Sequence, residues 1–159
     1  MSTAIQKRAC ALLLESDLQS FAASLVEALA SGADLRDASG GGVSLWDRLY
    51  CADLAGIDLV GAGVPVVAGI DAAILAAIDR PGAALDMDQW HRCSTTHCRA
   101  GWAVHLAGEA GYALEERVGT DAAGALIYAA SGSHPVPDFY YATTAEALAD
   151  MRARAAVSR

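Results

Sequence analysis

Bulky aromatic residues are scarce in this chain, with two phenylalanines, five tyrosines and three tryptophans among 159 residues. Alanine dominates the apolar fraction instead. It favours helix strongly but offers little apolar area per residue, so closely packed helices are expected rather than a large aromatic core. Basic charge is also short, with 11 Lys and Arg against 19 Asp and Glu, a formal net charge of −8. The deficit is local, because residues 34–88 hold nine Asp against three Arg, a net of −6. Nucleic acid is therefore not expected as a partner, since a phosphate backbone is held by Lys and Arg. An acidic surface of this kind suits either plain solvation or a basic protein surface. Long apolar runs are missing too: nothing approaches the roughly 18 residues needed to cross a bilayer, so no membrane partner is expected. The opening "MSTAIQKRACALLLES" carries basic residues, but its apolar run is short and ends at Glu15, unlike a signal peptide. Cys10, Cys51, Cys93 and Cys98 are then expected as thiols in a cytoplasmic protein. A chain of this length buries a core without needing disulfides or a metal.

What is present divides into three zones, and the expected fold class is mainly α. Residues 1–31 form an N-terminal helix, from about residue 4 to 30. Leu14, Leu18, Phe21, Leu25 and Leu29 line one face of it, and Gly32 ends it. Residues 32–66 carry the fragments A-D-L at 33–35, A-D-L-A-G at 52–56 and I-D-L-V-G at 57–61. A five-residue period around a central leucine resembles the pentapeptide repeat, in which that leucine points into a square β-coil. So few units cannot bury a continuous core, so the segment is expected to be a short coil leaning on helices. Residues 69–157 read as a compact helical domain. Ile70, Ile74, Leu75 and Ile78 mark a helix that Pro81-Gly82 stops. A second starts near Thr96 and carries Trp102 and Leu106, with Gly108 and Gly111 as a break before "YALEERVG". Thr120 is placed to cap the next helix, and Thr143 with Glu146 has the spacing of a capping box for the last.

The residues that carry chemistry cluster in "WHRCSTTHC" at 90–98. His91, Cys93, His97 and Cys98 are donors that suit zinc or iron, but all four fall within eight residues and His97 adjoins Cys98. Neighbouring side chains on a helix diverge by about 100°, which works against one shared ion. No cofactor is the leading expectation, with zinc or iron as the alternative. If Thr95 or Thr96 caps the following helix, Cys98 lies in its first turn, where backbone N–H groups favour a thiolate. His134 and Asp138, in "SGSHPVPD", would complete a Cys98–His134–Asp138 arrangement through tertiary packing. The plainer alternative has Cys98 and Trp102 packing inward, with Arg99 and His91 meeting carbonyls or acids such as Asp86 and Asp88.

The run from 70 to 151, with W-H-x-C-x-T-T-H-C-R-A-G-W and a later P-D-F-Y, resembles a bacterial and phage-associated domain often found after pentapeptide repeats. The resemblance covers about half the chain directly, and implies an architecture but no reaction. It marks Trp90, His91, Cys93, Thr95, Thr96, His97, Cys98, Arg99 and Trp102 as the motif surface. This chain departs from it in a shorter, glycine-interrupted repeat array and in "GSHPVPDFYY". Three functions follow as expectations: a small acidic protein-binding module, a hydrolase or acyl transferase with Cys98 as nucleophile, or a metal-binding domain.

Overall fold

The computed structural model describes residues 17–40 and 43–157. The first sixteen residues, with Leu14 and Cys10, lie outside it. Seven helices and two small sheets occupy the described residues: α1 Leu18–Ala30, β1 Ser39–Gly40, β2 Val43–Ser44, α2 Leu45–Cys51, α3 Ile70–Ile78, β3 Ala84–Leu85, β4 His91–Cys93, β5 Thr96–His97, α4 Arg99–Leu106, α5 Gly108–Val118, α6 Thr120–Ala130 and α7 Thr144–Val157. The protein is mainly helical, as the alanine content implies. None of these helices is long and apolar enough to cross a membrane.

Local chemistry places most helix ends. Phe21, Leu25 and Leu29 are buried along α1, as their spacing demands. Its end is a Schellman turn: Gly32 N–H donates to Leu29 O at 3.1 Å and Ala33 N–H to Ala28 O at 3.1 Å, with Gly32 at φ 74°. Helix α2 opens on a reciprocal box, since Asp47 N–H donates to Ser44 Oγ and Ser44 N–H to Asp47 Oδ2. Helix α7 uses the pair read from sequence: Thr143 N–H donates to Glu146 Oε2 at 2.8 Å, and Glu146 N–H to Thr143 Oγ1 at 3.3 Å. Ala107 alone separates α4 from α5, which opens on Gly108 at φ 64°, and Gly111 lies inside α5 in close contact with Val104 O. Thr120 does not cap α6, because Gly119 holds that place and no side chain bonds there.

The zone at 32–66 is only partly as expected. Leu35, Leu54 and Leu59, central in the three fragments, are all buried. The chain from 52 to 69 runs through turns rather than strands, however, and Asp53 and Asp58 fold it locally by accepting from Ala55 N–H and Gly61 N–H. The pairing of β1 with β2 is antiparallel and stands alone. These leucines join one continuous core that runs from Phe21 to Met151. Arg117 of α5 ties the N-terminal zone to that core, donating to Leu29 O and receiving Leu35 N–H on its own carbonyl.

At the centre α4 crosses α6 on small residues. A Cβ on Gly124 would lie 2.6 Å from Ala100 Cβ. Into this tight crossing the chain inserts a charge. Arg99 is 1% exposed and donates to Asp71 Oδ1 and Asp150 Oδ2, each at 2.6 Å, and to Tyr128 Oη at 2.8 Å. Its guanidinium also lies 5.1 Å from the Tyr128 ring centroid. Asp71 is itself only 5% exposed and receives the Tyr128 hydroxyl at 3.0 Å. Burial opposes the charge on Arg99, but Tyr128, Asp150 and Asp71 outweigh it and hold the guanidinium protonated. Arg99 therefore does not meet Asp86 or Asp88, as the sequence suggested, but joins α3, α4, α6 and α7.

Removing one partner of a buried ion pair leaves a charge without compensation. Asp71→Leu is expected to lower the unfolding free energy by about 3–5 kcal/mol, read from urea midpoints. Arg99→Met combined with Asp71→Leu should recover at least half of that loss. A single-variant loss under about 1 kcal/mol would remove Arg99 from the centre of the fold.

Candidate functional site

The motif at 90–98 is a strand hairpin followed by a helix start, and not the beginning of a helix at Thr96. Strand β5 sits between β3, parallel to it, and β4, antiparallel to it. His91 and His97 are register partners across β4 and β5, which brings the two rings together. Their Nδ1 atoms are 2.7 Å apart. His91 Nε2 lies 2.8 Å from Glu115 Oε1 on α5. On the other side, the His97 ring stacks on His105 at 4.7 Å, and Trp102 meets it edge-on at 4.7 Å. His105 Nδ1 in turn lies 2.8 Å from the Tyr112 hydroxyl.

The carboxylate decides the proton positions. Glu115 accepts, so His91 Nε2 carries hydrogen, and with both rings neutral His97 Nδ1–H donates to His91 Nδ1. That leaves a bare His97 Nε2, which is buried and has no hydrogen-bond partner. The opposite assignment would bury an orphan N–H there, the rarer kind of unpaired group. Burial, the largest cause, holds the His97 pKa below its ordinary value against a backbone hydrogen bond at Ser94. The array is thus a chain of proton carriers, Glu115–His91–His97, closed at its inner end by an imidazole that resists protonation.

The two cysteines of the motif have opposite characters. Cys98 is buried and is itself the N-cap of α4: its Sγ accepts Gly101 N–H at 3.3 Å. Burial pushes its thiol up to about 11, overriding the backbone N–H groups that point at it. The helix start that the sequence offered as a thiolate site therefore holds a protonated thiol. Cys93 is exposed at the end of β4, with Sγ 3.5 Å from Thr95 Oγ1. Hydrogen bonds from Thr95 and Thr96 lower its pKa to about 7. Cys51, Cys93 and Cys98 are all free thiols.

The proposed catalytic partners are not brought to Cys98. His134 is exposed and lines a groove with Cys51 and Val136. Asp138 turns the chain, accepting Tyr140 N–H at 2.8 Å and Tyr141 N–H at 3.0 Å. Among the described residues no hydrogen bond joins Cys98 to either. The expected metal set is dispersed as well. His91 and His97 face each other, Cys93 faces Thr95, and Cys98 faces the α4 backbone. Among the described residues no group of three or more His, Cys, Asp or Glu is placed to hold a metal ion. His91 meets Glu115, and not Asp86 or Asp88.

Trp90, the first residue of the motif, leads to a feature that sequence reading missed. Its exposed ring stands edge-on to Tyr140, with centroids 5.3 Å apart. Tyr140 packs at 5.5 Å on Trp46, and Trp46 stacks at 5.2 Å on Tyr50. Behind Trp46 lie Phe139 at 5.1 Å and then Tyr128, the ring beneath Arg99. Tyr50, Tyr140 and Trp90 thus reach the surface joined through Trp46, itself buried at 7% exposure, and Tyr141, next to Tyr140 in sequence, is 88% exposed. Trp46 and Tyr50 come from α2, Trp90 from the entry to β4, and Tyr140 from the loop before α7. The doubled tyrosine in "DFYY" and the W-x-x-x-Y spacing of α2 were the available signals. Compared with known proteins, the chain matches no family model, no curated protein and no solved structure.

Two outcomes follow from these titrations. Among the described thiols, Cys93 should alkylate fastest at neutral pH, its rate rising to half-maximum near pH 7, while Cys98 stays unreactive until the chain unfolds. Site-resolved mass spectrometry after iodoacetamide pulses reads both, and faster labelling of Cys98 than of Cys93 would contradict the geometry. For His97, the lowered folded pKa means that the unfolded chain binds the proton first as pH falls through 6.5. Its contribution is complete above that value and is lost on acidification toward the folded pKa. Lowered carboxylates such as Asp47 and Asp150 lose theirs only at more acidic pH. Urea midpoints should therefore fall from pH 7 to pH 5, with a shallower fall in His97→Phe, and equal slopes would remove His97 as the cause.

Proposed function

We propose that this chain is a protein-binding module whose contact surface is the aromatic row of the exposed rings Tyr50, Tyr140 and Trp90, backed by buried Trp46, with Tyr141 following in sequence. The observation that carries this reading is that Tyr50, Tyr140 and Trp90, three of the five large exposed rings among the described residues, meet around buried Trp46, with Tyr141 following Tyr140 in sequence. Single apolar residues on a surface are ordinary, whereas contiguous ones rimmed by polar groups mark interaction sites. Tyrosine and tryptophan supply large contact area at low cost in side-chain entropy, and they dominate the binding energy of interfaces. Here the rings already stack on one another and on the core through Phe139, so little ordering is left for binding to impose. The acids around them form a rim. The resemblance of residues 70–151 to a bacterial and phage-associated domain belongs to the same reading, with residues 32–66 as its degenerate repeat portion.

A Cys98-dependent hydrolase or acyl transferase finds no support in this arrangement. A nucleophile there would start as a buried thiol with a pKa of about 11 and with its sulfur bonded to Gly101.

Site-specific photo-crosslinking tests the module reading in cells that carry the protein naturally. A benzophenone side chain at position 141 should capture a discrete protein, whereas the same group at exposed Ala149 on α7 should not. Tyr50→Ala combined with Trp90→Ala should abolish the capture while leaving the melting curve in place. Equal capture from positions 141 and 149, or capture that survives loss of both rings, would overturn the reading.

A further inference from the structure

We propose that the occupant of the aromatic row is a basic segment of the partner protein, received through arginine side chains. This rests on the module reading and adds the partner's chemistry.

Four carboxylates accompany the rings. Asp47 lies on α2 between Trp46 and Tyr50 and holds its charge through the Ser44 cap. Asp121 accepts the Tyr140 hydroxyl at 2.6 Å. Asp138 supports the backbone of Tyr140 and Tyr141. Asp53 lines an open groove of about 420 Å³ with Tyr50, Leu54, His134 and Val136. The cations nearest in sequence are already committed, since Arg92 lies 3.6 Å from Asp86 and Arg48 is itself engaged. The row is thus a set of electron-rich faces within a negative field.

A cation over an aromatic face is attracted by the ring's quadrupole, and nearby carboxylates add to that attraction. An anionic partner would meet repulsion from both the local acids and a chain of net charge −8. A purely apolar partner would bury the charges of Asp53, Asp121 and Asp138 with no cation to balance them, at a cost. Arginine suits the site better than lysine, because its planar group stacks on rings and pairs with carboxylates through a fixed fork. The protein's own interior shows the match: Arg99 is received by the Tyr128 ring at 5.1 Å, by its hydroxyl, and by two aspartates. The surface repeats those elements, ring, hydroxyl and carboxylates.

Calorimetric titration of the full chain with acetylated hexa-arginine amide at low salt tests this directly. Binding should weaken about tenfold in Tyr50→Ala/Trp90→Ala/Tyr141→Ala, at a few-fold per ring removed. Asp47→Asn keeps both Ser44 bonds on its amide oxygen and Asp121→Asn keeps one of its two accepted bonds, while together they remove two charges. This pair should weaken binding at least about threefold and flatten the salt dependence. Hexa-lysine should bind at least about threefold more weakly than hexa-arginine, and hexa-glutamate should give no heat. Unchanged melting curves and circular dichroism certify the variants. The proposal falls if hexa-arginine gives no heat, if the ring variant binds it equally well, or if hexa-lysine binds equally well, which would mean diffuse attraction only. A crosslink from position 141 without hexa-arginine binding removes this proposal and leaves the module reading. Ring-dependent hexa-arginine binding without a crosslink overturns the module reading and this proposal with it, leaving an arginine-binding surface without a protein partner.

Discussion

A guanidinium buried at the crossing of four helices sets the terms for the rest of this fold. Arg99 enters the core one residue after the cap of α4, where the helix packs against α6 too closely for a bulky side chain. Its charge is tolerated because Asp71 from α3, Tyr128 from α6 and Asp150 from α7 all arrive at hydrogen-bond distance. A charge in such a place is expensive alone and stable only in company, so the positions of those three helices are tied to one side chain. Alanine-rich packing alone would be less selective, because small smooth faces fit one another in several registers. We suggest that the ion pairs select among those registers.

The hairpin depends on the same point. Cys98, adjacent to Arg99, caps α4 with its sulfur and sends its N–H back to Gln89 O at 2.9 Å and Trp90 O at 3.2 Å. The histidine chain is built on the strands between, with His97 one residue before the cap and His91 across from it. Charged core, capped helix, neutral imidazole and exposed tryptophan therefore follow one another within ten residues. The density of polar residue types in "WHRCSTTHC" serves this compact junction: one histidine is kept neutral, one cysteine inert, and the other cysteine left exposed.

Much of the helical architecture was legible in the sequence, because it rests on local rules. The buried stripe of α1, the Gly32 stop, the break at Gly108 and the Thr143–Glu146 box all follow from spacing and side-chain chemistry. The start of α4 was not, since a cysteine sulfur acting as cap falls outside the usual set of capping residues and two threonines stood nearby as better candidates. The three-stranded sheet was invisible for a different reason: strands of two and three residues are too short to show a period. Of the candidate site, adjacent His97 and Cys98 point apart at a strand-to-helix junction rather than along a helix, His97 toward His91 and Cys98 toward the α4 backbone. The partners of Arg99 lie 28, 29 and 51 residues away, and no local pattern encodes such separations. The aromatic row is assembled from three distant segments and was hidden for the same reason.

The closeness of Gly101 to the hairpin has one more consequence. A Cβ at that position would lie 2.1 Å from Trp90 O, so the first turn of α4 and the peptide that carries the exposed tryptophan touch backbone to backbone. With no side chain between them to absorb movement, the two act as one lever. The carbonyl that receives the cap's N–H belongs to the same peptide as the indole, so the exposed ring and the end of the helix on which Arg99 is anchored share one rigid attachment.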